Sequence, residues 1–156
     1  MVASYADCLQ VHPLLGHAYE KIYQPLRLSI THLLSEKESQ EYYAHTFNLN
    51  DLQVKFRVAH ITPTKTGQFV TLWKRAGSKS PIQSYDKSDL IDLVIVAVQK
   101  EAQAGLFVCP ASVLISQGIF ASAAAPGKRA FRVYPPWDTA TNAQATSSQA
   151  WQLDFL

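Results

Sequence analysis

The sequence lacks most of the features that announce a chemistry. Its two cysteines, Cys8 and Cys109, stand far apart, which excludes a disulfide framework and the paired spacing of a zinc site. Five histidines, His12, His17, His32, His45 and His60, are scattered, and no pair has ligand spacing beside an acid. No nucleophile elbow is present, and Thr64-Lys65-Thr66-Gly67 is too short for a phosphate-binding loop. Nothing after Met1 resembles a secretory leader. The longest apolar run, Leu93–Val98, falls far short of the roughly 18 residues that suggest a membrane helix. The expectation is a soluble cytoplasmic protein without a membrane partner.

What is there belongs to a globular domain. A hydrophobic fraction of 47% with 17% charged residues excludes disorder, and a chain of this length buries about 70% of its unfolded surface without staples. The first third reads helical. Leu26, Ile30, Leu33 and Leu34 recur at helical spacing behind Pro25, and Ser35-Glu36-Lys37-Glu38 offers a capping box for a further turn through Tyr43. From Leu52 the period changes to two: Val54, Phe56 and Val58 alternate with Lys55, Arg57 and Ala59, which predicts a half-buried strand. A turn over Thr62–Gly67 leads to a second strand, Gln68–Lys74, apolar on both faces and so internal to its sheet. Further strands are predicted over 90–98, 105–109 and 128–134. A helix follows Pro110 and stops before Gly118, and a last helix spans 141–151. The fold class is α/β (α+β): a single mixed central sheet of about five strands flanked by helices. One domain covers residues 1–156, with a helical N-terminal part over 1–37.

The charge is unevenly laid out. The net value is only +2, but between Leu52 and Tyr85 every charged residue is basic: Lys55, Arg57, Lys65, Lys74, Arg75 and Lys79. Acids return at Asp86, Asp89 and Asp92, and a second basic group, Lys128, Arg129 and Arg132, stands near the other end. Two such groups on neighbouring strands form a surface for a polyanion if they share a face; as separate strand edges they are ordinary solvated lysines that discourage aggregation. Trp73 and Trp151 fit core packing, whereas Trp137, after two prolines, is the tryptophan best placed to stack on a ligand.

Two long stretches carry a resemblance. One is Arg57-Val58-Ala59-x-Ile61-Thr62-Pro63-Thr64-Lys65-x-Gly67-Gln68-Phe69-Val70-Thr71-Leu72-Trp73-Lys74-Arg75. The other is Gly127-Lys128-Arg129-x-x-Arg132-Val133-Tyr134-Pro135-Pro136-Trp137-Asp138. With Glu38-Ser39-x-Glu41-Tyr42, Asp89-x-x-Asp92 and Gln149-x-Trp151-Gln152, they resemble the signature of the MepB-like family over a core of residues 38–156. The resemblance implies a fold similar to restriction-endonuclease-like nucleases and, by analogy of fold, nucleic-acid binding. His60, Leu106 and Ala111 depart from the family pattern; His60 and Ala111 stand where lysine is usual, which thins the basic surface.

A nuclease of that fold needs an aspartate at a strand end and an acid-x-lysine pair on the next strand, to hold Mg²⁺ and position water. Asp92 is the candidate aspartate, with Glu38 or Glu41 as a further acid, but the following strand, Gly105-Leu106-Phe107-Val108-Cys109-Pro110, offers neither acid nor lysine. The expected function is therefore sequence-independent binding of DNA or RNA through Arg57, Lys65, Lys74, Arg75, Lys128, Arg129, Arg132 and Trp137, on a nuclease-like fold with a degenerate metal site and no cofactor. A Mg²⁺-dependent endonuclease using Asp92 is one alternative. A pocket for a small phosphorylated ligand, lined by Arg57, Lys65 and Arg132, is the other. Monomer and homodimer are equally compatible with the sequence.

Overall fold

A computed structural model describes residues 1–156. The chain opens with two short helices, α1 (Tyr5–Val11) and α2 (Pro13–Ala18). Ser4 and Asp7 form a reciprocal capping box on the first, and Pro13 opens the second behind a His12 cap. A single π turn, Tyr19–Tyr23, ends the helical segment.

Residues 26–34 do not continue it. Arg27 turns into the left-handed region (φ 58°), and Ile30–Ser35 form strand β1. The helical spacing of its apolar residues has a β explanation. His32 also has positive φ (55°), and the pairing register shifts between Thr31 and Leu34. This bulge breaks the alternation so that Ile30 and Leu33 turn inward three residues apart. Nor does Ser35 cap a helix: only one 3₁₀ turn, Gln40–Tyr42, follows, because Glu36 is drawn into the interior.

The remaining strands are β2 (His45–Leu49), β3 (Leu52–Val58), β4 (His60–Ile61), β5 (Gln68–Thr71), β6 (Leu93–Lys100), β7 (Gln103–Pro110) and β8 (Ala130–Val133). Helix α3 (Ala111–Ser116) lies before β8, and α4 (Ala143–Gln152) after it. The central sheet is mixed and five-stranded, in the order β1-β2-β3-β6-β7, as the fold class requires. Its membership differs from a simple chain of the predicted strands. β5 and β8 pair with each other in a second sheet of order β4-β5-β8, and β1 and β2 take their places. β5 is internal to that smaller sheet. The parallel pair β3–β6 leaves residues 59–92 as the crossover between them, and that crossover supplies β4 and β5.

β6 is the most buried strand, and its alternation divides the core in two. Val94, Val96 and Val98 face Phe107, Val70, Leu72, Phe131 and Val133, toward the second sheet and α3. Ile95 and Ala97 face Val54, Phe56, Val58, Leu14 and Leu15, under the N-terminal helices. Cys109 and Cys8 belong one to each core, and burial pushes their thiols up to about 12 and about 11 respectively. No helix is long and apolar enough to cross a membrane.

Phe56 is fully buried beneath α2, so Phe56→Ala is expected to lower the unfolding free energy by about 3–5 kcal/mol, read as a fall in the urea midpoint without a change in slope.

Candidate functional site

The strand alternation that buries Val54, Phe56 and Val58 turns Lys55 and Arg57 to the opposite face, toward the second sheet. Arg57 is 1% exposed. Its guanidinium pairs with Glu36 through Nη1, donates from Nε to the Thr71 carbonyl at 3.2 Å, and donates from Nη1 to its neighbour Phe56 O at 2.9 Å. Lys55 Nζ reaches the other oxygen of Glu36 at 3.1 Å and lies 5.2 Å from the centre of the Tyr85 ring. The Thr71 hydroxyl donates to Ser39 Oγ at 2.7 Å. Burial acts to raise the Glu36 carboxyl, but the charges of Arg57 and Lys55, with their hydrogen bonds, outweigh it and hold the group below its ordinary value.

Lys74 and Arg75 are paired as well. Lys74 Nζ is 2.8 Å from Asp89 and 3.7 Å from Asp86; the hydrogen bond to Asp89 is the largest cause that raises its pKa. Arg75 Nε lies 3.4 Å from Glu38 Oε1, and its guanidinium covers the Trp73 ring at 5.0 Å. The acids that close the basic segment in sequence thus fold back onto it.

The other cations of the two basic groups have no carboxylate partner. Lys65, Lys128 and Arg129 are exposed, and no acid lies within ion-pair distance of them or of Arg132. The antiparallel register of β5 on β8 sets Phe69 opposite Arg132 and Thr71 opposite Ala130, which joins the two basic groups of the sequence. Arg132 Nη2 donates to Thr62 Oγ1 at 2.8 Å and its guanidinium lies 5.6 Å from the centre of the Phe69 ring, so it holds the 62–67 turn while keeping its charge. Lys65, Lys128 and Arg132 line one cavity of about 670 Å³, and no acid shares the lining.

Helix α4 forms the opposite wall of that cavity. Asn142 caps it by accepting the Ala145 N–H at 2.8 Å, and Gln144, Ser147 and Ser148 face the cavity. Two glutamines fasten the helix. Gln152, 2% exposed, accepts the Tyr134 N–H and donates to the Arg132 carbonyl, both at 2.8 Å. Gln149 donates to the carbonyls of Pro135 and Asp138 at 3.0 and 2.9 Å, which fixes the turn that carries Trp137.

The predicted site residues therefore fall into three groups. Lys65, Lys128 and Arg132 line one cavity, while Arg129 lines another beside Thr71 and Trp73. Arg57, Lys74 and Arg75 are held in ion pairs, Arg57 out of reach of solvent. The carboxylates stay apart: Asp92 accepts the Gln53 N–H at 2.7 Å at the head of β6, Glu38 faces Arg75, and Glu41 is exposed. No three acidic, histidine or cysteine side chains converge as a metal site. Trp137 is half-buried against the core. Lys100 and Gln68, to which the sequence assigned no part, line a second cavity beside Lys65 and Asp138; a single polar residue heading an apolar strand is the signal that marks Gln68.

A profile of the MepB-like family matches residues 36–156, and the chain belongs to that family. A solved structure described as the crystal structure of MepB is 33% identical and superposes with a TM-score of 0.78 over 92% of each chain. No curated protein matches the chain.

Glu36→Gln leaves the Arg57 charge buried without its partner, and is expected to cost about 3–5 kcal/mol of stability. Because the folded-state pKa of Glu36 is depressed, its contribution is complete above the ordinary glutamate value near about 4.3 and is lost as pH falls through the folded value. Urea midpoints measured from pH 7 down to pH 3 should fall less steeply in Glu36→Gln than in the wild type.

Proposed function

We propose that this protein binds nucleic acid through its phosphates, without regard to sequence, on the face where Lys65, Lys128 and Arg132 gather. The observation that carries the reading is the division of charge. Lys55, Arg57, Lys74 and Arg75 are neutralised by Glu36, Glu38, Asp86 and Asp89, while Lys65, Lys128 and Arg132, which have no acid partner, line a polar cavity free of carboxylates. Unpaired surface cations that hold counterions release them to a polyanion, which favours association at low salt. Lysine and arginine side chains that meet phosphate oxygens position the backbone and carry no sequence information.

Within this reading the scaffold is nuclease-like and its metal site degenerate. Asp92 is engaged by the Gln53 backbone, and β7 offers no acid-x-lysine pair beside it. The free, buried cysteines suit work in a reducing cytoplasm. The cavity volume of about 670 Å³ also lies in the range of small-ligand sites, about 300–1,000 Å³, so the second reading is a small phosphorylated ligand held by the same cations.

Fluorescence anisotropy across a salt series tests the first reading. Affinity for labelled DNA should fall steeply with salt, and Lys65→Glu and Lys128→Glu should each weaken it and flatten the dependence by about 0.7–0.9 in log–log slope per lost phosphate contact. Absent or salt-independent binding would overturn the proposal. Thermal stabilisation by a small phosphorylated compound but not by DNA would favour the second reading.

A further inference from the structure

Trp137 and Trp151 pack against the core that faces the second sheet, but Trp73 packs against neither core, contrary to the core packing its apolar stretch suggests. The alternation of β5 explains this. Val70 and Leu72 are 0% and 1% exposed, so Thr71 and Trp73 turn to the opposite face of the strand and its extension. There Trp73 is half-buried and lines a groove of about 530 Å³ with Thr71, Ile82, Lys128, Arg129 and Ala130. No acid shares this lining. Lys128 lines the larger cavity as well, so the groove continues the basic face. From Lys128 to Arg132 the chain spans no more than about 14 Å.

Both the basic and the aromatic walls of the groove are held in place. The Arg129 carbonyl accepts the Leu72 N–H at 2.9 Å, and the Lys128 N–H donates to the Ile119 carbonyl at 2.8 Å. Gly127 has φ 79° and lies so close to its neighbours that an added Cβ would stand 2.7 Å from the Ala121 nitrogen, so the chain enters this wall through a position that glycine alone fills without strain. On the aromatic side, the Arg75 guanidinium lies 5.0 Å from the centre of the Trp73 ring. Glu38 at 3.4 Å and the Ser78 carbonyl, which accepts from Nη1 at 3.1 Å, hold Arg75 there and pair the Glu38 charge. The ring is thus braced by a cation that is already neutralised, and the two cations along the groove, Lys128 and Arg129, have no acid partner.

An aromatic ring beside free cations has the chemistry that receives an unstacked base. Every base has a π-face, so stacking tolerates any sequence, while the cations follow the backbone. In a duplex each base is covered by its neighbours, whereas the bases of a single strand splay out and stack on aromatic side chains. We infer that this groove seats one base of a single-stranded nucleic acid, stacked on Trp73, with Arg129 and Lys128 on the flanking phosphates. The strand continues past Lys128 into the larger cavity. The inference rests on the nucleic-acid reading above and adds to it a strandedness: the basic face holds the backbone, and the seat at Trp73 requires a base released from its neighbours.

The test uses three probes at one low salt concentration: a single-stranded oligonucleotide, a strand of the same length built from abasic spacers, and the matched duplex. By anisotropy the wild type is expected to bind the base-bearing strand about fivefold or more tightly than the abasic one, the lower end of base–aromatic stacking. Trp73→Leu should bring that ratio toward one and leave affinity for the abasic strand in place, with circular dichroism establishing that the variant folds. Tryptophan emission supplies a second readout that does not depend on that variant. The base-bearing strand should quench it and the other two probes should not, and the quenching should vanish in the conservative Trp73→Phe and persist in Trp137→Phe. Equal binding of the two single strands by the wild type, quenching by the duplex, or quenching that survives in Trp73→Phe overturns the stacking seat and leaves the basic face standing. Absence of binding to every probe overturns the nucleic-acid reading and the seat together.

Discussion

The pairing of Arg57 with Glu36 is the constraint from which the arrangement of this molecule follows. Arg57 sits on the central sheet but faces the second one, and its guanidinium ties the segment after β1, through Glu36, to the β5 carbonyl of Thr71. The Thr71 hydroxyl reinforces the same junction through Ser39. A buried ion pair is a poor source of net stability, since desolvation offsets much of its attraction; its best-attested use is to select one arrangement over others. Here apolar packing alone would let the second sheet slide over Val94, Val96 and Val98. The guanidinium needs three acceptors at fixed positions and admits one placement of β5. β8 then follows β5 through its ladder, and with it the positions of Arg132 and Lys128.

That placement sorts the cations. Those on the junction side of the second sheet meet the acids of residues 36–38 and 86–89, whereas those at the outer turn and on β8 meet none. With a net charge of only +2, the protein has no general attraction for polyanions. Its field comes from the sorting: neutral where the two sheets meet, positive where α4 and the 62–67 turn open to solvent. Local concentration of one sign beside a low-dielectric wall raises the potential there beyond what the net charge suggests.

Much of the fold was legible in the sequence, and the rest was hidden for identifiable reasons. β3 and β6 showed themselves through alternation and a continuous apolar run, and α3 through the proline and glycine at its ends. β1 was disguised by its bulge, which gave Ile30 and Leu33 the spacing of a helix face. β2 has only Phe47 and Leu49 as inward residues, too short a pattern to stand out. For the candidate site, charge alone picked out Lys65, Lys128, Arg129 and Arg132. It could not separate them from Arg57, Lys74 and Arg75, because the separation depends on which acids fold back, and Asp86 and Asp89 looked like the border of the basic segment. Gln68 shows in the sequence only as a polar residue heading an apolar strand; that its Oε1 is left unpaired is a property of the packed state.

The glutamine that docks α4 has one more consequence, for assembly. Gln152 offers its amide to β8 as a further strand would, taking the Tyr134 N–H and giving to the Arg132 carbonyl. An open strand edge invites a second chain to extend the sheet. Here the next place in the ladder is already filled by a side chain of the same molecule, and the helix that carries it stands across the approach. Growth of the small sheet from copy to copy is closed on that side, and any self-association has to be built from another surface.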